Sequence, residues 1–520
     1  MKTPLLLSSL LLSFLISGQA QEVSPNFTIN WSAPIPDSEI FLVSNDKNLL
    51  YYAGFEKRVR RKKKLQMVYG RVDMHTQTLD TRTKRPISEK WYKGREAIHP
   101  DGRKLIGQKI HEYYRNWDRD IDGYTIVVNI NSLESKQSPV DRIIYSSEPD
   151  LDRCGEPKMH WTQNDSLLMV YAVSSRDNKD LNAFIDLRIY NDQYEELHRA
   201  EVPLDMPFDH VRVPHMTLLN DGRICYVAYS SEKDLDREKI EDYHKRNYSL
   251  HILSPDKAQS NRRDIKTGDR CFNHTNMWAD ASGERIIFYG SQLPQGEDVD
   301  GHFLVTTSAN GTEEIDVQWF TYDDALTEEL ENIMQARECI VTPSGDFYLL
   351  FENYSTVEER LGANYFLKFY AFDIFVFAHD SKGQLKWKSH IERPHTASTP
   401  YPYFLLSTSS FLRGKYVPMI TESQLHIFFA DHEENSARRK EGEELKETYV
   451  RGEKENFTCV SIDTESGASE YAVISPILWK DSYHIYPGHF VHSRNYERVV
   501  AFAGGQEGFI FGEIVPLSPE

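Results

Sequence analysis

The sequence contains no Gly-rich phosphate loop, no G-x-S-x-G nucleophile elbow and no H-E-x-x-H zinc pair, so the commonest phosphoryl-transfer, serine-hydrolase and zincin signatures are missing. Cysteine is scarce. Five residues, Cys154, Cys225, Cys271, Cys339 and Cys459, are scattered over 520 positions with no CxxC spacing, which leaves no thiolate metal or redox motif. The odd count excludes full pairing within one chain. One or two disulfides stay open at this stage, although a chain this long needs none to fold. Cys225, inside the run Arg223-Ile224-Cys225-Tyr226-Val227, reads as a small buried hydrophobe. Positive charge is in deficit, with a formal net charge of −19, and nucleic acid is disfavoured as a partner because phosphate binding needs clustered Lys and Arg. Beyond the first twenty residues no apolar run approaches the roughly 20 residues of a bilayer-spanning helix, so no membrane span is expected.

Those first twenty residues carry an address. Lys2 precedes an apolar run from Leu5 to Ile16, and Gly18-Gln19-Ala20 sets small residues at the −3 and −1 positions of a cleavage site. The reading is a signal peptide over 1–20, a mature chain beginning at Gln21, and a secreted or periplasmic protein. Eight Asn-x-Ser/Thr sequons would serve as glycan acceptors in a eukaryotic source.

Hydrophobic residues make up 40% of the chain and aromatics 12%, a composition that favours strands and a large core. A strand–turn–strand unit recurs. Its clearest copies turn at Asn220-Asp221-Gly222, at Asp280-Ala281-Ser282-Gly283 and at Thr342-Pro343-Ser344-Gly345, each followed by a strongly apolar strand. Weaker copies turn at Asn45-Asp46, Asp101-Gly102, Asn164-Asp165, Glu422-Ser423 and Arg494-Asn495. Turn residues that tolerate positive φ between apolar runs are hairpin signals. Each unit continues with further strand-like runs such as Phe184 to Tyr190.

In these repeated units the chain resembles β-propeller proteins in general, and no particular family is indicated: the S-x-D-x-G-x-T-W box is missing, and so are the repeating W-D and kelch signatures. The resemblance implies an all-β fold, a single propeller of eight or seven four-stranded blades over 21–520. The last unit is one strand short, and Phe27-Thr28-Ile29-Asn30-Trp31 is expected to supply it, closing the propeller. Separate β-sandwich domains are the alternative architecture. Insertions are expected as a helix over Asp324 to Arg337, a second over Glu238 to Arg246, and a solvated, charged segment at about 432–456.

Two motifs have bland competitors. Asp118, Asp120 and Asp122, followed by Gly123, open like a Ca²⁺ loop, but Asn129 stands where a bidentate Glu is expected, and Asp298-Val299-Asp300-Gly301 repeats the pattern as an ordinary turn. The basic run Lys57 to Lys64 is expected as an exposed hairpin loop that could meet an anionic glycan.

Polar residues recur just ahead of the hairpin turns: Arg95, Glu96, His160, His215, His274, Arg337, Tyr403 and His489. In a propeller the first strand of each blade lines a central channel, so these residues would meet at one mouth of it. The expected function is a monomeric binding or scaffold module for a glycan, a peptide or an envelope protein. The alternative is a polysaccharide lyase or glycoside hydrolase with its site in this funnel, drawing a base and a neutralising cation from His215, His274, His489 and Arg337.

Overall fold

In the computed structural model the described residues are the strands between 27 and 146 and, with gaps of which the longest are 323–333 and 401–415, the chain from 151 to 516. For strands before residue 143, positions 27–29 apart, the description is of backbone and pairing. The signal-peptide expectation and the basic run 57–64 fall outside these residues.

The strands form eight sheets that are antiparallel apart from two short parallel pairings, and each sheet draws nearly all its strands from one stretch of sequence. The turns anticipated at Asn220-Asp221-Gly222, Asp280 to Gly283, Thr342 to Gly345 and Glu422-Ser423 join early strands of successive sheets, whereas Asp101-Gly102, Asp165 and Arg494 lie outside the described residues. The turn at 280–283 shows the cause. Asp280 accepts from the main-chain N of Ser282 (3.1 Å) and Glu284 (3.0 Å), fixing an Asx turn. Gly283 then supplies a φ of 73°. The eighth sheet ends on Gly508–Pro516, and Phe27–Trp31 pairs with it antiparallel, Phe27 opposite Pro516 and Trp31 opposite Gly512. The strand missing from the last unit is therefore supplied by the N-terminal segment.

Period-two alternation explains why the central strands read as unbroken apolar runs. On Ile224–Ser230, Cys225 and Val227 pack towards Phe272, Phe288 and Phe303 of the fifth sheet. Ile224, Tyr226 and Ala228 pack towards Met169, Leu187 and Ile189 of the third. On Asn364–His379, Phe375 and Phe377 join the cluster with Tyr289 and Leu304 of the fifth sheet. Ile374 and Val376 join that with Ile427 and Phe429 of the seventh. Phe27 lies between Phe428 and Phe457 of the seventh sheet and Phe511 of the eighth. Both faces of a sheet are thus covered by neighbouring sheets, not by a sandwich partner. First strands also meet: Arg270–Ala279 lies beside Val211–Leu218 and Met334–Val341, and Ser38–Asp46 lies near both Glu96–Ile98 and Val491–His492.

Several local expectations are corrected. All five cysteines are buried thiols, none in a disulfide. They lie in different sheets among apolar side chains, and burial pushes Cys225 up to about 12. Of the helix expected over 324–337, residues 324–333 lie outside the described residues, and Met334 begins a strand that pairs with Phe347–Leu361; that pairing outweighs the local helical spacing. Residues Ile240–Lys245 form a 3₁₀ helix. The charged segment is not simply solvated. It carries the one α-helix among the described residues, Asn435–Glu441, with Asn435 wholly buried. Its Thr448–Tyr449 pairs in parallel with His395–Pro400 of the sixth sheet. Among the described residues no helix is long and apolar enough to cross a membrane.

Candidate functional site

His160, His215, His274 and Arg337 lie on early strands of their sheets, and irregular pairing places the last three. Register shifts fall between Arg212 and His215, between Asn273 and Asn276, and between Ala336 and Glu338. Such bulges re-aim side chains. His215 follows the first, His274 sits in the second with a φ of 41°, and Arg337 is the extra residue of the third.

Three hydrogen bonds then link four consecutive sheets. His160 Nε2 meets Thr217 Oγ1 at 3.0 Å, from the third sheet to the fourth. His215 Nε2 meets Thr275 Oγ1 at 2.7 Å, from the fourth to the fifth. Asn276 Nδ2 donates to the main-chain O of Arg337 at 2.7 Å, from the fifth to the sixth. His160 and His215 are thus engaged as fasteners between sheets. Burial, reinforced by Lys158, pulls His215 down to about 4, so it bonds as a neutral imidazole. His274 differs: its surface is open to solvent, while the protein crowding beneath it and then Arg337 lower its pKa from the usual value.

Arg337 is held from behind. Its Nε donates to Glu352 Oε2 at 2.8 Å, while Glu352 Oε1 accepts from Arg393 Nη2 at 2.5 Å. Arg393 is 1% exposed and Glu352 4%. One carboxylate shared by two guanidiniums in a dry setting is costly to break, because removing a partner strands a buried charge. The Arg393 main-chain N in turn donates to Asp373 Oδ1 at 3.1 Å, and Asp373 Oδ2 accepts from His390 Nε2 at 2.8 Å.

Two further bonds each skip a sheet. Gln163 Nε2, in the third sheet's hairpin turn, donates to the Ala279 carbonyl of the fifth at 2.9 Å. Tyr496, in the eighth sheet's hairpin turn, donates its hydroxyl to Glu338 of the sixth. Around Glu338 stand Tyr289 and Tyr416 as well, their phenols raised well above the usual value by burial first and then by charges that include Glu338.

Of the anticipated constellation, the structure brings His274 and Arg337 into electrostatic reach of each other and ties His160 and His215 into sheet-to-sheet bonds. Arg95, Tyr403 and His489 lie outside the described residues, and Glu96 is described only as backbone. For the calcium motif, Asp118 and Asp120 lie outside them as well. Asp122 falls at a register shift in Ile121–Ser132, whose later residues pair as strand where a twelve-residue loop would need to stay open. Elsewhere, carboxylates of Asp209, Asp234 and Asp236 lie within 4.8 Å of one another, each with an arginine already beside it, Arg153, Arg237 and Arg212 respectively. Glu338, Glu352, Arg393, Tyr416 and Tyr496 were not anticipated. Only Tyr496 had a pointer in the sequence, directly after the weak turn at Arg494-Asn495.

With its multiple antiparallel sheets, the later of which cover one another's faces, the chain is similar to β-propellers. No known protein family matches it, and neither does any curated protein. Solved structures similar to it include the β-propeller domain of the Trilobed protease from Pyrococcus furiosus, at 12% identity and a TM-score of 0.32, over 69% of this chain and 96% of that one. The acylaminoacyl peptidase of Pyrococcus horikoshii is similar at 10% identity and a TM-score of 0.31, over 76% of this chain and 58% of that one. The polysaccharide lyase Uly1 is similar at 10% identity and a TM-score of 0.39, over 79% and 89%.

Proposed function

We propose that the protein is an exported, monomeric β-propeller whose eight sheets close into a ring of eight blades, and that it binds an acidic polysaccharide where its inner strands bulge. The ring is supported by the contact of the first sheet with the eighth and by the pairing of Phe27–Trp31 with Gly508–Pro516. Export rests on the signal-like residues 1–20.

The observation that carries the binding reading is the pairing of His274 with Arg337 on adjacent bulges. The cationic guanidinium, fixed by Glu352, stands beside a solvent-facing imidazole. An Arg is suited to a carboxylate because its planar fork can bind both oxygens. An acidic protein that presents such a group at a bulged rim has a place for an anionic chain.

Lyase chemistry has one observation in its favour, the lowered pKa of His274, which keeps the imidazole neutral and able to take a proton while Arg337 neutralises a uronate carboxylate. Hydrolysis with two carboxylates has less support, since Glu352 is shared by two arginines and Glu338 accepts from Tyr496.

The test is a screen of the purified mature chain against acidic and neutral polysaccharides, recording binding and product release together. Tight binding of acidic chains without turnover, lost in Arg337→Ala and weakened in His274→Ala, is the expected result. Unsaturated, ultraviolet-absorbing products would replace the binding module by a lyase. Acidic chains that bind no better than neutral ones would remove the proposal.

A further inference from the structure

The early strands of the third to sixth sheets share a charge bias opposite to that of the whole chain. Lys158–Trp161, Val211–Leu218, Arg270–Ala279 and Met334–Val341 each carry a Lys or an Arg, and Glu338 is the one carboxylate among them, in a protein of net charge −19. Two of these cations are already engaged. Arg212 pairs with Asp236 at 2.6 Å, and Arg270 donates to Gln292 Oε1 at 3.0 Å while lying over the Trp319 ring. Arg337 belongs to the site already described. Lys158 remains. It is exposed, and no carboxylate among the described residues pairs with it.

Register sets Lys158 at the level of that site. The bond from His160 to Thr217 fixes the third sheet's strand against the fourth's. Lys158 stands two residues before His160 on one face of its strand, as His215 stands two before Thr217 on the next. Lys158 is thus level with His215, whose pKa burial lowers first and the Lys158 charge lowers further, as Arg337 does for His274. The bond from His215 to Thr275 carries this level to the fifth sheet, one residue past His274, and Asn276 carries it to Arg337. Lys158 and Arg337 therefore face the same rim from sheets three steps apart. At up to about 10 Å a step, one carboxylate cannot bridge them, whereas a run of linked sugars can.

We propose that Lys158 is a second anion subsite on this rim, so that the ligand is an oligouronate laid across the early strands from the sixth sheet to the third, with one carboxylate at Arg337 and a later one at Lys158. This rests on the reading of an acidic polysaccharide at Arg337 and His274. Once the first carboxylate is held, the second contact is intramolecular, and affinity rises with chain length until the span is covered.

The experiment measures the affinity of the mature chain and its Lys158→Gln and Lys158→Arg variants for oligogalacturonates from dimer to decamer, at low and high salt, with thermal melting of each protein. Wild-type affinity is expected to climb with length and then level off. Lys158→Gln should lose about threefold to fivefold towards the long oligomers, the worth of one exposed ion pair, and nothing towards the dimer. Lys158→Arg should keep the climb, and high salt should close the gap between the wild type and Lys158→Gln. Melting temperatures should match, because the side chain is exposed. A Lys158→Gln variant that climbs as the wild type does, or that loses equally at every length, overturns the second subsite and leaves the site at Arg337 standing. A wild type with no length dependence does the same. Failure of every oligomer to bind removes both.

Discussion

Tyr496 and Glu338 stand 158 residues apart in sequence and share a hydrogen bond that passes over the seventh sheet. The tyrosine sits at a φ of 60°, and its main-chain O accepts from Ile420 N of that seventh sheet at 2.7 Å. One residue therefore ties three sheets at the turn end of their inner strands. Tyr496→Phe should cost about 1–3 kcal/mol, the usual penalty for leaving a part-buried acceptor without its donor. Urea unfolding with tryptophan fluorescence measures it, and an unchanged midpoint would show that the bond contributes nothing.

A second pair predicts acid sensitivity. His302 and His379 are wholly buried, with their Nε2 atoms 3.4 Å apart. His379 Nδ1 donates to the Gly383 carbonyl at 3.0 Å, so its Nε2 accepts from His302, whose Nδ1 in turn accepts from the Tyr322 hydroxyl at 3.2 Å. The rings stack among Phe320, Phe347 and Phe377. Burial pulls His379 from 6.5 to about 4, only partly countered by the Gly383 carbonyl and Asp380, and pulls His302 well below the usual value. The unfolded chain thus takes up protons before the folded one does. Stability is fully present above about pH 6.5 and is lost as pH falls towards 4, by about 3 kcal/mol for His379 alone. Melting temperature followed from pH 8 to 4 should decline below 6.5, with a shallower decline in His379→Gln. A flat profile would contradict this.

The cysteines give a simple count. All five are buried thiols, and burial raises Cys339 and Cys459 as well as Cys225. A thiol reagent at neutral pH should therefore label almost none in the folded protein and all five in denaturant, with no change in electrophoretic mobility on reduction. Fewer than five titratable thiols in the unfolded chain would reveal a disulfide.

Gly283 is a point where the turn and the packing of two sheets meet. Its φ is 73°, and a Cβ there would come 2.5 Å from Leu219 Cδ1 and 2.9 Å from Ala309 Cβ. Its carbonyl also accepts from Ala309 N at 2.7 Å. Gly283→Ala combines left-handed strain with overpacking and should destabilise by about 2–5 kcal/mol. Chemical denaturation reads this directly, and a loss under 1 kcal/mol would mean that the turn relaxes without cost.

Much of the architecture was legible because hairpin chemistry is local. Asp280 and Gly283 make their turn from their own side chain and backbone, and the recurrence of such turns marked the fourth to seventh sheets. Strands failed to announce themselves where pairing overrode spacing, as at Met334 to Arg337. In the site, His160 and His215 were visible as polar residues ahead of turns, but their threonine partners lie in the next sheet, at no fixed spacing. Glu352 and Arg393 carried no signal, since a buried ion pair joins residues from different loops and strands.

By itself the sequence determined the class of fold, the positions of the turns and the strand Phe27–Trp31 set aside for the last sheet, because alternation, turn chemistry and strand count act over a few residues. Only the tertiary structure decided what those polar residues do. Bulges re-aimed His274 and Arg337, packing tied His160 and His215 to their neighbours, and Glu352 came to stand between Arg337 and Arg393, because these outcomes depend on which strands lie side by side.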